Sequence, residues 1–176
     1  MFGARLQRSL QRCRLCAPIR VRRVSSVRHL LEENGHTLPP PGGPKGSYVQ
    51  ALRVGNLVYT AGHISVAGDG KLITGKVKTI DTGRAAAEWC GLNLLATLEN
   101  EIGDLDRVNR VVKLTGFVNC HNDFIDHPGV LNGCSDLMTV AFGPIAGKHV
   151  RSAVGVGSLP LDVSVEVEAI FEVEER

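Results

Sequence analysis

Aromatic side chains make up only 5% of the 176 residues, with a single tryptophan, so any core must rest on Val, Leu, Ile and Ala. Long apolar runs are absent. No stretch approaches the ~20 apolar residues of a membrane-spanning helix, so none is expected. Neither G-x-G-x-x-G nor G-x-x-x-x-G-K-[ST] occurs, which leaves nucleotide cradling without support. A G-x-S-x-G nucleophile elbow is missing too. What is present is ordinary: 43% hydrophobic and 22% charged residues, enough for one folded domain with an appendage.

Charge is distributed unevenly. Residues 1–31 hold eight arginines, no lysine and no acid. The remaining residues carry twelve basic side chains against all eighteen acids, a net charge of −6. In the head, Phe2, Leu6 and Leu10 recur every four residues, and Arg5, Arg8 and Arg12 lie on the other side of the same helix until Pro18 stops it. An amphipathic, Arg-rich, acid-free segment reads as a mitochondrial presequence over residues 1–26, ahead of a domain over 27–176. The competing readings are a basic arm for nucleic acid or acidic lipid, and a mistranslated upstream stretch. The presequence reading predicts a matrix destination and a mature N-terminus between residues 24 and 28.

Cys13 and Cys16 have C-x-x-C spacing but no second pair, and zinc needs four ligands. Cys90, Cys120 and Cys134 stand among apolar residues and read as small buried hydrophobes. His121, His127 and His149 show no ligand spacing, and Asp104-Leu105-Asp106 reads as a loop, so no metal is expected.

Val27 to Asn34 reads as a short helix closed by Gly35, and the proline-rich run from Leu38 to Pro44 as an extended linker. Val49 to Val54, then Gly55-Asn56, then Leu57 to Thr60 is a hairpin signal, and Asp69-Gly70 marks a further turn. Asp81-Thr82 can cap a helix running to Ile102, with Gly103 as its stop. Ala87, Gly91, Leu94, Leu95, Leu98 and Ile102 share one face of it, the small members letting it sit close on a sheet. A strand over Val108–Val118, a helix over Val130–Phe142 and two final strands complete the order. That order predicts an α+β fold with two helices on one sheet face.

The final strands carry the most informative pattern. Val150, Ser152, Val154 and Val156 alternate with His149, Arg151, Ala153 and Gly155. Val163, Val165, Val167, Ala169 and Phe171 alternate with Ser164, Glu166, Glu168, Ile170 and Glu172. A hairpin centred between Ser158 and Leu159 would set residue 151 opposite 166 and match the apolar sets. Arg151 and Glu166 would then share the other face. Such a pair is either a cross-strand ion pair or a functional site. In the latter, Arg offers a bidentate fork to a carboxylate and Glu handles water or a proton.

Five stretches stand in order along the chain: Ser47-Tyr48-Val49-Gln50-Ala51, Val54-Gly55-Asn56-Leu57-Val58-Tyr59-Thr60-Ala61-Gly62-His63, Arg151-Ser152-Ala153-Val154-Gly155-Val156, Leu159-Pro160 and Val165-Glu166-Val167-Glu168-Ala169. On them the chain resembles the RidA/YjgF family of reactive imine/enamine deaminases, also labelled endoribonuclease L-PSP. Asn132-Gly133-Cys134-Ser135-Asp136-Leu137 marks a divergent branch.

The resemblance implies a chorismate-mutase-like fold with a mixed sheet, and a homotrimer whose sheets form a barrel with clefts between subunits. It implies hydrolysis of 2-imino and 2-enamino acids to 2-keto acids and ammonia without a cofactor. Arg151 would clamp the substrate carboxylate and Glu166 would hold the water; Tyr48, Gly62 and Asn132 would line the cleft. His63 either reaches that cleft or is structural. This chain has Ala61 and Ala153 where well-studied members carry Ser and Cys, and a short insertion between Phe124 and Asn132. A trimer that binds a small carboxylate metabolite without turnover is therefore the alternative. The endoribonuclease reading fits poorly with a body of net charge −6 and few aromatics.

Overall fold

The structure, a computed structural model, describes residues 26–175. The expected amphipathic head and the Cys13–Cys16 pair lie outside those residues. Among the described residues, three helices and six strands form an α+β architecture: α1 (Val27–Glu33), β1 (Ala51–Val54), β2 (Leu57–Thr60), β3 (His63–Ile64), α2 (Ile80–Ile102), β4 (Val108–Asn119), α3 (His127–Ala146), β5 (Val150–Val156) and β6 (Val165–Val173). No described helix is long and apolar enough to cross a membrane.

Local chemistry explains the elements. Gly55 takes a positive φ of 63° in the β1–β2 turn, where a side chain would be strained. Thr79, rather than Asp81-Thr82, caps α2 by accepting the Thr82 N–H, and Gly103 ends it in the left-handed conformation. The backbone of α3 leaves helical geometry at Gly143, just after the expected end at Phe142. Its start is three residues earlier than expected, because the Asp126 carboxylate caps it through the Gly129 N–H.

The strand order is β1-β2-β6-β4-β5, with β3 also paired to β6. β4 and β5 run parallel and all other pairs are antiparallel. The expected β5–β6 hairpin is therefore absent. Parallel neighbours need a crossover connection, which α3 supplies between β4 and β5. Residues 157–164 then carry the chain past β4, bending through Leu161 and Asp162, both at positive φ.

The matched apolar faces fail with the hairpin. Val165, Val167, Ala169, Phe171 and Val173 are buried against the helices. Val150 and Val154, at 68% and 44% exposed, instead face the open side of the sheet. Arg151, Ala153 and Gly155 register with buried Leu114, Gly116 and Val118 on the helix side. The small residues of α2 also act differently from expectation. A Cβ on Gly91 would meet Leu137 and Cys134, so that glycine admits α3 rather than the sheet. Gly133 answers from α3, where a Cβ would lie 2.0 Å from the Arg84 carbonyl oxygen.

α1 is part of the fold. Val27 and Leu31 are buried, and the Val27 N–H donates to Asp106 Oδ1 at 2.8 Å. Arg28 pairs with Glu99, its Nε 2.7 Å from Oε1. Asp104 caps the short turn over Leu105–Arg107.

Candidate functional site

β5 is an edge strand, and its helix side meets the start of α3. There the half-buried Arg151 donates from Nη1 to Ser135 Oγ (2.8 Å) and from Nη2 to the Pro128 carbonyl (3.2 Å). Ser135 Oγ is also 3.0 Å from His149 Nε2, and His149 Nδ1 is 2.7 Å from the Gly147 carbonyl oxygen. Two N–H groups of the guanidinium are thus tied to protein and three remain for a ligand. No ion pair to Arg151 forms among the described residues. Asn132 lies on α3 one turn before Ser135 and is half-buried.

Electrostatics follow from burial. Burial pulls the His149 imidazole below its usual range; the Gly147 carbonyl opposes this, and Arg151 adds to the lowering. The buried Cys134 thiol is pushed up to about 12 by desolvation, against an opposing pull from Arg151. It stays protonated and unreactive.

Glu166 sits elsewhere. It pairs with Phe117 on β4 and Ile64 on β3 and points to the open face of the sheet. Gly62 lies directly over it: a Cβ there would be 1.8 Å from Glu166 Oε1. Burial raises the Glu166 carboxyl above the usual carboxylate range, and neighbouring Glu168 adds to the rise.

Arg151 and Glu166 therefore do not face each other within one protomer. β4 runs between their strands, and the two side chains project from opposite faces. Their register positions on β4, Leu114 and Phe117, differ by three residues. Strand spacings put them roughly 10 Å apart along the sheet and roughly 10 Å across it. The cross-strand ion pair is excluded along with the hairpin. Of the other expected site residues, Tyr48 is exposed before β1, and its hydroxyl accepts the Lys45 N–H at 3.2 Å. The structure thus joins Gly62 to Glu166, and places Arg151 and Asn132 at the β5–α3 margin.

His63 is structural. It is buried, with Nδ1 2.9 Å from the Ala61 carbonyl oxygen and Nε2 2.8 Å from Thr97 Oγ1 of α2. Cys90, Cys120 and Cys134 are free and buried. Among the described residues, no three His, Cys, Asp or Glu side chains come together as a metal site. Sequence reasoning does not single out Ser135 and His149 as site residues. Neither has a local spacing that signals their contact, which is made only by packing α3 on β5.

Comparison with known proteins adds the family context. The family model described as Endoribonuclease L-PSP matches residues 41–173. Protein TCP17 of Trypanosoma cruzi is 39% identical over 145 residues, 81% of this chain and 91% of that protein. A 2-iminobutanoate/2-iminopropanoate deaminase of Dermatophagoides farinae is 32% identical over 132 residues, 74% and 89% of the two chains. The mitochondrial protein MMF1 of Saccharomyces cerevisiae is 30% identical over 139 residues, 76% and 78% of the two. Among solved structures, Atu1372 of Agrobacterium tumefaciens, of unknown function, superposes with a TM-score of 0.77 at 36% identity, covering 85% of this chain and 94% of that one. Escherichia coli TdcF with bound serine superposes with a TM-score of 0.53 at 26% identity, covering 79% and 97%.

Proposed function

The chain belongs to the endoribonuclease L-PSP family, also called RidA/YjgF, and from that premise we propose that it hydrolyses 2-imino and 2-enamino acids to 2-keto acids and ammonia. Water adds to the C=N carbon, the C–N bond breaks, and nitrogen leaves as ammonia; no cofactor is needed. Arg151 holds the substrate carboxylate, Glu166 positions the water and trades protons with it, and Tyr48, Gly62 and Asn132 line the cleft. A carboxyl whose pKa is raised by burial is suited to that exchange nearer neutral pH.

The observation that carries this reading is Arg151, a half-buried fork at a sheet edge with no carboxylate partner among the described residues. Because Glu166 lies on the opposite face, one ligand reaches both groups only if they come from different copies. A homotrimer supplies that. The exposed apolar side chains of Leu52, Val54, Tyr59, Val150 and Val154 on the open face support such an assembly. The bound serine in TdcF, an amino acid with a carboxylate, fits the same ligand class.

The test follows the decay of 2-iminopropanoate, released by a dehydratase and trapped as its semicarbazone. Purified protein is expected to speed loss of the imine. An unchanged decay rate would sink the deaminase reading. Ala61 and Ala153 favour the second reading, binding without turnover, and saturable pyruvate binding with no rate effect would select it. RNA cleavage abolished by Arg151→Ala and retained at high salt would overturn both.

We further propose a mitochondrial protein with a cleaved presequence. The acid-free head supports this, as does the name of the yeast relative. Ser26 Oγ accepts the His29 N–H as the α1 cap, and Val27 is buried behind it. Losing a serine cap costs about 0.5–2 kcal/mol. The mature N-terminus is therefore expected at residues 24–26, the early part of the 24–28 window. Mass spectrometry of the endogenous protein checks this, and an intact Met1 would contradict it.

A further inference from the structure

The arginine at the β5–α3 margin does not stand alone. We infer that Ser135 and His149 complete its carboxylate subsite, and that His149 takes up one proton when a 2-keto or 2-imino acid binds there. The inference rests on the proposed clamp role of Arg151.

The hydrogen-bond directions are determined by chemistry. A guanidinium only donates, so Ser135 Oγ is the acceptor from Arg151 Nη1. The Gly147 carbonyl only accepts, so His149 Nδ1 carries a hydrogen. A neutral imidazole has one N–H, which leaves Nε2 bare. The Ser135 hydroxyl therefore donates to Nε2 at 3.0 Å. The chain runs Arg151, Ser135, His149, Gly147, and in the free protein the serine proton points away from any ligand on Arg151.

A bound carboxylate reverses this. Its charge offsets the guanidinium, which is the charge that helps keep His149 neutral. His149 then accepts a proton from the solvent at Nε2. The new N–H donates to Ser135 Oγ, and the serine O–H turns to the ligand. The acid gains a third donor beside the guanidinium.

Other charged groups near the ring do not compete for this role. α3 contributes Ser135 and the protonated Cys134 thiol. Asp136 of α3 is paired with Arg84. Lys113 of β4 registers with Val150 and faces the open side. Lys148 precedes the ring in the chain and is exposed. Glu166 and Glu168 lie on the far face of the sheet.

The sign of the pH dependence follows. Free His149 titrates below its ordinary range, and the ligand moves it upward. Affinity should be highest below the free value, fall through the window between the two, and level off above the bound value. Calorimetry on the full chain with pyruvate, in two buffers of different ionisation enthalpy, counts the protons. Net uptake is expected where the pH lies between the free and bound values of His149, and none well above both. His149→Gln should still bind pyruvate but lose the uptake. Ser135→Ala should weaken binding roughly tenfold at the acid end. NMR titration of His149 in the wild type, with and without pyruvate, needs no variant and should show its pKa rise. No rise, or unchanged uptake in His149→Gln, overturns the inference and leaves the clamp standing. No pyruvate binding by the wild type overturns the clamp and the inference with it.

Discussion

Arg151→Lys is expected to keep the fold and lose most affinity for 2-keto acids. The native guanidinium makes two bonds at once, to Ser135 Oγ and the Pro128 carbonyl, and still has three N–H groups for a ligand. An ammonium is a point charge on a flexible stem and cannot reproduce parallel bonds to a carboxylate. Losing one charge-assisted bond costs about 1.5–3 kcal/mol, or roughly 10- to 150-fold in affinity. The cost to stability is smaller, because both protein contacts lie at a half-exposed margin. A net loss of about 1 kcal/mol shifts Tm by roughly 2–4 °C in a chain of this size. Calorimetry with pyruvate and a thermal melt read the two quantities separately. Equal affinity in both proteins would reduce Arg151 to a strut between β5 and α3.

Gly62→Ala should separate turnover from binding. The added methyl carbon would sit 1.8 Å from Glu166 Oε1, 2.6 Å from Cδ and 3.0 Å from Cγ. The carboxylate must swing away, since it is the mobile end of a side chain and the glycine backbone is held between β2 and β3. The melt should change by only a few degrees. A catalytic group displaced by about 1 Å can lose on the order of 100-fold in rate. Pyruvate affinity, held by Arg151, should change far less. Glu166→Gln keeps the shape and removes the charge, so it should lower the rate while leaving pyruvate binding close to wild type. In the wild type, any step needing ionised Glu166 should gain with rising pH through a value above that of an ordinary glutamate. Full turnover in both variants would remove Glu166 from the reaction.

Chemistry written in short stretches of the chain is legible from the sequence by itself. Gly55-Asn56 between β-branched runs specifies the hairpin, and the apolar spacing with Gly103 specifies α2 to its last residue. α3 and β4 follow from the same periodicities. Arg151 and Glu166 are visible as types of residue in a pattern and Gly62 through the family resemblance, and the fold sets Gly62 against Glu166.

What tertiary structure alone decided is how distant segments meet. Alternation along β5 and β6 is equally compatible with a hairpin and with two strands separated by a third, since period two fixes which residues share a face and not which strand lies alongside. The crossover through α3 and the insertion of β6 between β2 and β4 are long-range choices, driven by burying α2 and α3 on one face. They sent Arg151 and Glu166 to opposite sides of the sheet. Packing α3 on the edge strand then assembled Arg151, Ser135 and His149, three polar groups whose contact no local spacing announces.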